Sequence, residues 1–271
     1  MDLKSKCKEI RIKTLKTIGN LGVGHIGGSL SIIELLVVLY EKHMNIDPKD
    51  PKKEGRDRLI VSKGHSGPAV YAMLSDKGYF NEELLMTLNK PGTTLPSHCD
   101  MNKTPGIDMT AGSLGQGFSC AVGIAKASKL RNDRATIYAI IGDGESQEGQ
   151  IWESAMFASH NKLNNFIAFT DYNKMQLDDY VDNICSIEPL DKKWESFGFK
   201  VIVVKDGNDV DEIDKAINEA KLEKSKPSMI ILNTVKGKGI SFAENAKVGN
   251  HSMTVTKELL EEGLRELEGN V

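Results

Sequence analysis

The sequence of 271 residues predicts an α/β fold with a doubly wound, mostly parallel sheet and helices on both faces. Five short apolar runs have the length of strands, and segments with apolar residues at helical spacing separate them. Strands that are apolar throughout are typical of parallel sheets buried on both faces, and their alternation with helices is typical of doubly wound folds. We expect residues 1–271 to form one domain, with ligands bound beyond the carboxyl ends of its strands.

The elements are predicted in the following order along the chain. The spacing of Leu3, Cys7, Ile10 and Ile18 indicates a first helix, and the segment SIIELLVVLYEKHM is apolar on nearly all sides, which predicts a buried helix. The predicted strands are RLIVS, ATIYAII, NFIAFT, FKVIVV and SMIILNTV. Further helices are predicted at GQGFSCAVGIAKASKL, QIWESAMFASHNK and DVDEIDKAINEAKLEK, before the second, third and fifth of these strands.

Composition and charge argue against several classes of protein. A net charge of −3 gives no electrostatic reason to expect binding to nucleic acid or to an acidic membrane surface. The longest apolar run, Ile32 to Tyr40, is too short to span a bilayer, and the charged N-terminus MDLKSKCKEIRIK is unlike a signal peptide. Because the cysteines have no CxxC spacing, we expect reduced thiols in a cytoplasmic protein. The cysteines are Cys7, Cys99, Cys120 and Cys185.

The segment IIGDGESQEG places an aspartate between two glycines directly after a predicted strand. The next predicted strand ends in DYNKMQLD, so if the two strands are neighbours, Asp143 and Asn173 emerge at the same edge of the sheet. Carboxylate, amide and main-chain oxygens suit Mg²⁺ or Ca²⁺, and Mg²⁺ commonly completes its shell with phosphate oxygens. Gly142 and Gly144 allow a ligand to approach the backbone. The pairing predicts a metal-bridged diphosphate, whereas GDG alone would favour a tight turn capped by the aspartate.

GDGESQEG through DYNKMQLD resembles the signature of thiamine diphosphate enzymes, which opens with GDG and closes on an asparagine about thirty residues later. The motifs GVGHIGGSLS, SKGHSGPAVYAML, LPSHCD, AGSLGQGFSCAVGIA and VKGKGISF occur in the order typical of the transketolase family. The resemblance runs from about residue 10 to 250. It implies an enzyme that transfers a two-carbon ketol unit from a ketose phosphate to an aldose phosphate, with thiamine diphosphate and Mg²⁺ or Ca²⁺ as cofactors.

The resemblance also implies a partner chain. A full transketolase resembles two such α/β domains followed by a third, C-terminal domain, and this chain matches only the first. We therefore expect the N-terminal subunit of a split transketolase, active only with a C-terminal subunit that carries the glutamate which activates the cofactor. The expected assembly is an α2β2 heterotetramer with the cofactor at its interfaces.

The metal ligands implied by the resemblance are the side chains of Asp143 and Asn173 and the main-chain carbonyl of Met175. A main-chain ligand explains how a thioether residue, a poor partner for Mg²⁺, can occupy this position. Gly144 is expected to donate its N–H to the diphosphate.

Residues 112–114 match the family loop that contacts the cofactor. Gly112 and Leu114 agree with the family pattern, and Ser113 stands where the family has proline, a change that affects loop stiffness more than chemistry. The loop AGSLGQG precedes a predicted helix, so its amides can face an anion with support from the helix dipole. Glu148 matches a family acid at the subunit contact, although an exposed glutamate in the first turn of a helix is the alternative interpretation.

The histidines divide into two groups. By the resemblance, His65 contacts the diphosphate, and His25 and His98 are catalytic residues that bond sugar hydroxyls and take part in proton transfers. His251 matches a family histidine near the diphosphate, but serine follows it where the family has glycine, so its loop is expected to differ. The two histidines at predicted helix ends, which are expected to be structural or solvated, are His43 and His160.

Several alternatives remain open on the sequence alone. Lys236 and Lys238 either add positive charge near the diphosphate or lie in a solvated loop. A split transketolase for a branched or sulfonated sugar differs from the general interpretation mainly in the partner chain. Another thiamine diphosphate enzyme, such as a deoxyxylulose-phosphate synthase or a 2-oxo acid dehydrogenase subunit, and a non-catalytic binding protein are further alternatives. A nucleotide-binding Rossmann protein is disfavoured, because no strand precedes GVGHIGG and its glycine spacing is wrong.

Overall fold

The computed structural model describes residues 2–269, which contain a five-stranded sheet, a two-stranded sheet and the surrounding helices. The strands are β1 Val23–Gly24, β2 Arg58–Val61, β3 Ile137–Gly142, β4 Phe166–Tyr172, β5 Lys200–Val204, β6 Ser228–Asn233 and β7 Met253–Thr254. The α-helices are α1 Leu3–Leu21, α2 Ile26–Leu30, α3 Ile33–Val38, α4 Gly67–Asp76, α5 Gln116–Arg131, α6 Gly149–His160, α7 Val181–Ile184, α8 Leu190–Ser196, α9 Val210–Lys221, α10 Ser241–Asn245 and α11 Lys257–Glu268.

The large sheet has the strand order β2-β3-β4-β6-β5, and every neighbouring pair is parallel. Its five strands are the five apolar runs recognised in the sequence, so the predicted parallel sheet is confirmed. β3 and β4 are neighbours, with Gly142 opposite Asp171 in the register. The segments that follow these two strands therefore leave the sheet side by side. Asp143 and Asn173 thus lie at the same edge of the sheet, as the sequence predicts.

Two apolar cores lie on opposite faces of the sheet, because successive residues of each strand point to opposite sides. On one face, Tyr138 and Ile140 pack with α1, α3, α4 and α9. On the other face, Ile137, Ala139 and Ile141 pack with α5, α6 and α8. Both faces are thus covered by helices, which confirms the doubly wound architecture and explains why the strands are apolar throughout.

The segment predicted as one helix from residue 31 to 44 is divided in the structure. α3 begins at Ile33 and continues into a π-helical turn, Leu39–His43. The chain departs from helical geometry at Ile32, which has φ −111° and ψ 8°. Next to it, the Ser31 carbonyl accepts a hydrogen bond from the Asn208 side chain (3.1 Å), and the Ser31 hydroxyl donates to Asp171 (2.7 Å). The predicted burial of the segment is correct for residues 31–40.

Loops from distant parts of the chain converge at the carboxyl edge of the large sheet. They follow β2, β3, β4 and β6, and the segments that precede α2 and α5 lie beside them. This is the edge at which doubly wound proteins bind their ligands. Within residues 2–269, no helix combines the length and the apolar character needed to cross a membrane.

Candidate functional site

A cleft of about 370 Å³ opens at the carboxyl edge of the sheet. Ten of the eleven residues selected from the sequence line it, and the eleventh, Ser113, is exposed in the loop between two of them. The ten are His25, His65, His98, Gly112, Leu114, Asp143, Gly144, Asn173, Met175 and His251. Glu148 also lines the cleft, as does Lys236, whereas Lys238 is not among its lining residues.

Asp143 is a buried carboxylate at the base of the cleft, with 2% of its surface exposed. Its oxygens accept main-chain hydrogen bonds from Gly144 (2.7 Å) and from Lys174, whose positive φ of 66° turns its N–H towards the carboxylate. Burial and the nearby charge of Asp171 raise the pKa of Asp143 to about 7. A bound cation would lower this pKa again, so the environment of Asp143 fits a metal ligand.

Asn173 and Met175 supply further oxygen donors next to Asp143. The Asn173 side-chain oxygen accepts from the Met175 N–H (3.1 Å), and its amide nitrogen donates to Asp171 (3.0 Å). Within residues 2–269 there is no cluster of three or more acidic, histidine or cysteine side chains that could hold a metal ion. A cation at Asp143 would therefore depend on amide, main-chain and ligand oxygens, the donors that Mg²⁺ and Ca²⁺ accept.

A buried ion pair in the lining of the cleft was missed in the sequence. Lys63, which is 2% exposed, pairs with the fully buried Asp171 and also donates to the Gly28 carbonyl (2.9 Å). Asp171 accepts further hydrogen bonds from Ser31 and Thr234 as well as Asn173. Burial opposes its ionisation, but Lys63 and these donors hold the pKa of Asp171 below its usual value. The only signal in the sequence is the position of both residues at strand ends.

Glu145 is a second buried acid that the sequence did not single out. Its carboxylate accepts hydrogen bonds from the Ser62 hydroxyl, the Gly115 N–H (2.8 Å) and the Gly142 N–H (3.1 Å). Gly115 directly precedes α5, and its N–H was among the amides expected to face a bound anion. In the structure this N–H donates to the Glu145 carboxylate instead. Glu145 thus joins the loop before α5 to the GDG turn.

Four histidines that line the cleft form one cluster. The His25 ring centroid lies 5.5 Å from His65, 5.4 Å from His98 and 5.4 Å from His251, and His65 lies 4.9 Å from His251. Burial lowers the pKa of all four, and the charge of nearby Lys236 helps to bring the pKa of His251 to about 4. All four side chains are therefore neutral at pH 7. Neither His43 nor His160 lines the cleft.

Lys236 brings a buried ammonium group to the cleft. Its side chain approaches the carbonyl oxygens of Gln176 (3.2 Å) and Met175 (3.5 Å) and the imidazole of His251 (3.5 Å). Burial and the positive charge of Lys63 lower its pKa to about 8. A bound anion would raise this pKa, so the group fits an anion-binding role. The solvated-loop alternative is thus disfavoured for Lys236.

The low pKa of His251 predicts a measurable effect on stability. Between about pH 6.5, where an unfolded histidine titrates, and about pH 4, the unfolded chain binds the extra proton, so this residue makes the folded state lose stability on acidification. We expect His251→Gln to weaken the fall in the free energy of unfolding over this range, measured by urea unfolding in chelator. His160→Gln, at an exposed position outside the cleft, is the matched control, and the effect of His251→Gln should exceed that of this variant.

The two perturbed groups of the cleft complement each other chemically. A cation would restore the ionised form of Asp143, and an anion would restore the charged form of Lys236. A ligand that consists of an anion with a bound cation would stabilise the charged forms of Asp143 and Lys236 at the same time. The fold and the site thus define an α/β protein with a cleft at the carboxyl edge of its sheet that is suited to an anionic ligand carrying a cation.

Comparison with known proteins identifies the family. Residues 3–264 match the family described as "Transketolase, thiamine diphosphate binding domain". The chain is 58% identical, over 99% of its length and 97% of the relative, to the 6-deoxy-6-sulfo-D-fructose transketolase subunit SqwG of Clostridium sp. (strain MSTE9). It is 40% identical to an apulose-4-phosphate transketolase subunit of Actinobacillus succinogenes, covering 93% of this chain and 91% of that one.

Longer relatives match along only part of their length. Human transketolase is 34% identical over 98% of this chain, which spans 42% of the human protein. The structure of transketolase from Leishmania mexicana matches with a TM-score of 0.93 and 28% identity, over 99% of this chain and 41% of that one. The chain belongs to the transketolase family and is its N-terminal, thiamine diphosphate-binding subunit, which confirms the resemblance recognised in the sequence.

Proposed function

We propose that the cleft binds the diphosphate of thiamine diphosphate through a divalent cation, Mg²⁺ or Ca²⁺. The observation that carries this proposal is the buried Asp143. Its pKa of about 7 shows that its ionised form is unfavourable without a partner, and a bound cation would stabilise that form. Asp143, Asn173 and the Met175 carbonyl would hold the metal. A side chain at Gly144 would meet Gln176 at 2.9 Å, so glycine lets the two metal-binding loops approach each other.

The diphosphate would lie between the metal and the basic side of the cleft. We assign its binding to the Gly144 N–H, His65, His251 and Lys236, with residues 112–114 as a main-chain wall. In this chain the Gly144 N–H already donates to an anionic oxygen, that of Asp143, so its direction suits an anion. The buried ammonium of Lys236 is available because its present partners are two carbonyls and a neutral imidazole.

We further propose that His25 and His98 are the catalytic residues of this chain. Bound thiamine diphosphate supplies the electron sink that allows the bond between carbons 2 and 3 of a ketose to break. Their neutral imidazoles, whose ring centroids lie 5.4 Å apart, would bond the sugar hydroxyls and accept or return a proton at the reacting oxygen. A neutral ring can both donate and accept a hydrogen bond, which a protonated ring cannot.

The remaining assignments concern assembly and location. We propose that residues 1–271 are one domain and that a separate C-terminal subunit carries the activating glutamate and completes the sugar site. Two relatives named as subunits have nearly the length of this chain, which supports a split enzyme. We propose an α2β2 heterotetramer with the cofactor sites at its interfaces. A cytoplasmic location is proposed from the cysteines, which lack CxxC spacing and are free thiols in the structure.

For the substrate, we propose 6-deoxy-6-sulfofructose as the ketose donor. Support comes from the 58% identity with a subunit named for that sugar, against 40% for the one named for apulose 4-phosphate. Removal of the two-carbon unit would leave a four-carbon aldose that retains the sulfonate. Transfer between ordinary pentose phosphates is the second candidate, supported by the 34% identity with human transketolase.

The test is a reconstitution of this chain with the product of the adjacent reading frame, thiamine diphosphate and Mg²⁺. We expect transfer only in the mixture, with kcat/KM for 6-deoxy-6-sulfofructose at least about tenfold above that for fructose 6-phosphate or xylulose 5-phosphate. A preference for xylulose 5-phosphate would replace the sulfonated substrate but keep the transketolase function. Lack of cofactor binding by the mixture would contradict the cofactor site.

A further inference from the structure

The loop that carries Lys236 is held by groups outside the cleft. On one side of Lys236, the Val235 N–H donates to the Asn208 side-chain oxygen (2.8 Å). On the other side, the Lys238 carbonyl accepts from the Arg11 guanidinium (2.9 Å). The two contacts come from segments far apart in the sequence, and they bracket Lys236 in the chain. They therefore restrain the main chain from which its long side chain departs.

Both restraining side chains are fixed by a single carboxylate. One oxygen of Glu34 pairs with Arg11 (2.5 Å), and the other accepts from the Asn208 side chain (3.1 Å). Arg11 and Glu34 are each 6% exposed. A buried ion pair contributes little to stability beyond well-packed apolar residues of the same volume, so its presence calls for another role. In this chain the role is evident, because Glu34 connects Arg11 and Asn208, the two side chains that hold the loop around Lys236.

Further contacts leave the loop little freedom. The Lys236 carbonyl accepts from the Asn250 side chain (3.1 Å), and the Gly237 N–H donates to the Gly27 carbonyl (3.0 Å). Gly239 has a φ of 84°, and a side chain there would lie 2.7 Å from the Arg11 guanidinium. The loop thus fits closely against Arg11, and a displacement of Arg11 would be transmitted to the main chain beside Lys236.

We propose that Glu34, together with Arg11 and Asn208, is a positioning network that aims the Lys236 ammonium group at the diphosphate. A lysine side chain is flexible, so its contribution to affinity depends on how well its origin is fixed. The three side chains come from α1, from α3 and from the turn before α9, and none of them lines the cleft. This inference rests on the proposed function, specifically on the contact between Lys236 and the cofactor.

The test compares thiamine diphosphate affinity in variants of the assembled enzyme at saturating Mg²⁺. Glu34→Gln should raise the Kd of thiamine diphosphate about tenfold, as loss of an outer-shell partner does at metal sites, while kcat at saturating cofactor changes less than about twofold. Asp108→Asn is the matched control, since Asp108 forms a buried ion pair with Arg56 at the amino end of β2, opposite the cleft. It should leave the Kd unchanged.

A double-mutant cycle separates positioning from a merely structural role. Lys236→Met alone should weaken cofactor binding, and Glu34→Gln should add nothing further in the Lys236→Met background, because the network acts through that ammonium. Additive effects, or an unchanged Kd in Glu34→Gln, would overturn the positioning role while the cofactor site stands. If Lys236→Met itself binds normally, the role of Lys236 fails and this inference fails with it. Absence of binding by the unaltered enzyme contradicts the proposed function.

Discussion

Asp143→Asn is expected to lower ketol transfer by more than about a hundredfold, because it removes the charged ligand of the proposed metal site. It should also change how the stability of the cofactor-free chain depends on pH. In the unaltered chain, a carboxyl with a pKa of about 7 when folded and about 4 when unfolded loses stability as pH rises between these values. The variant lacks this loss, so its stability relative to the unaltered chain should rise with pH by about 4 kcal/mol.

The measurement is urea unfolding of both proteins in chelator from pH 4 to 8, compared at each pH. Only the difference between the two curves reports on Asp143, because the histidine cluster acts in the opposite direction over part of this range. Asp178→Asn is the matched control, since Asp178 is an exposed carboxylate in the loop after β4, the strand next to the one that Asp143 follows. With Mg²⁺ and thiamine diphosphate present, the unaltered enzyme should gain stability and Asp143→Asn should not. A pH-independent difference would mean that Asp143 is not a desolvated carboxyl.

The strands and the edge of the cleft could be predicted because their signals are local. Each strand is a continuous apolar run that ends in glycine or a polar residue, and parallel strands present those ends at one edge. The proximity of Asp143 and Asn173 could therefore be predicted from the sequence, on the assumption that their strands are neighbours. The resemblance to the family added predictions that no periodicity indicates, namely the histidines of the cleft and the expected main-chain role of Met175.

What escaped prediction depends on contacts between distant segments. The pair of Lys63 and Asp171 joins residues 108 positions apart, and it forms only in the observed strand register. Glu145 lies in the segment that was already interpreted as a metal–diphosphate motif, and no local pattern indicates its bonds to Ser62 and Gly115. The break in the helix lies next to another such contact, the hydrogen bond from Asn208 to the Ser31 carbonyl, 177 residues away. Such polar contacts have no period in the sequence.

Lys63→Met is expected to lower the free energy of unfolding by about 3–5 kcal/mol. The cause is the fate of Asp171, which would remain fully buried without its cationic partner. Lysine and methionine have similar lengths, so loss of packing contributes little. Because Asp171 also accepts from Asn173, the variant should bind the proposed metal more weakly as well.

The charge itself can be isolated by a second substitution and by pH. Asp171→Asn in the Lys63→Met background removes the stranded charge and should recover much of the lost stability in urea unfolding. In Lys63→Met alone, the pKa of Asp171 should rise above its unfolded value, so the deficit should shrink as pH falls below about 5. Lys192→Met, which removes an exposed ion pair with Glu195, should leave the free energy of unfolding almost unchanged. A deficit of equal size in the single and double variants would assign the role of Lys63 to its contact with Gly28 instead of its charge.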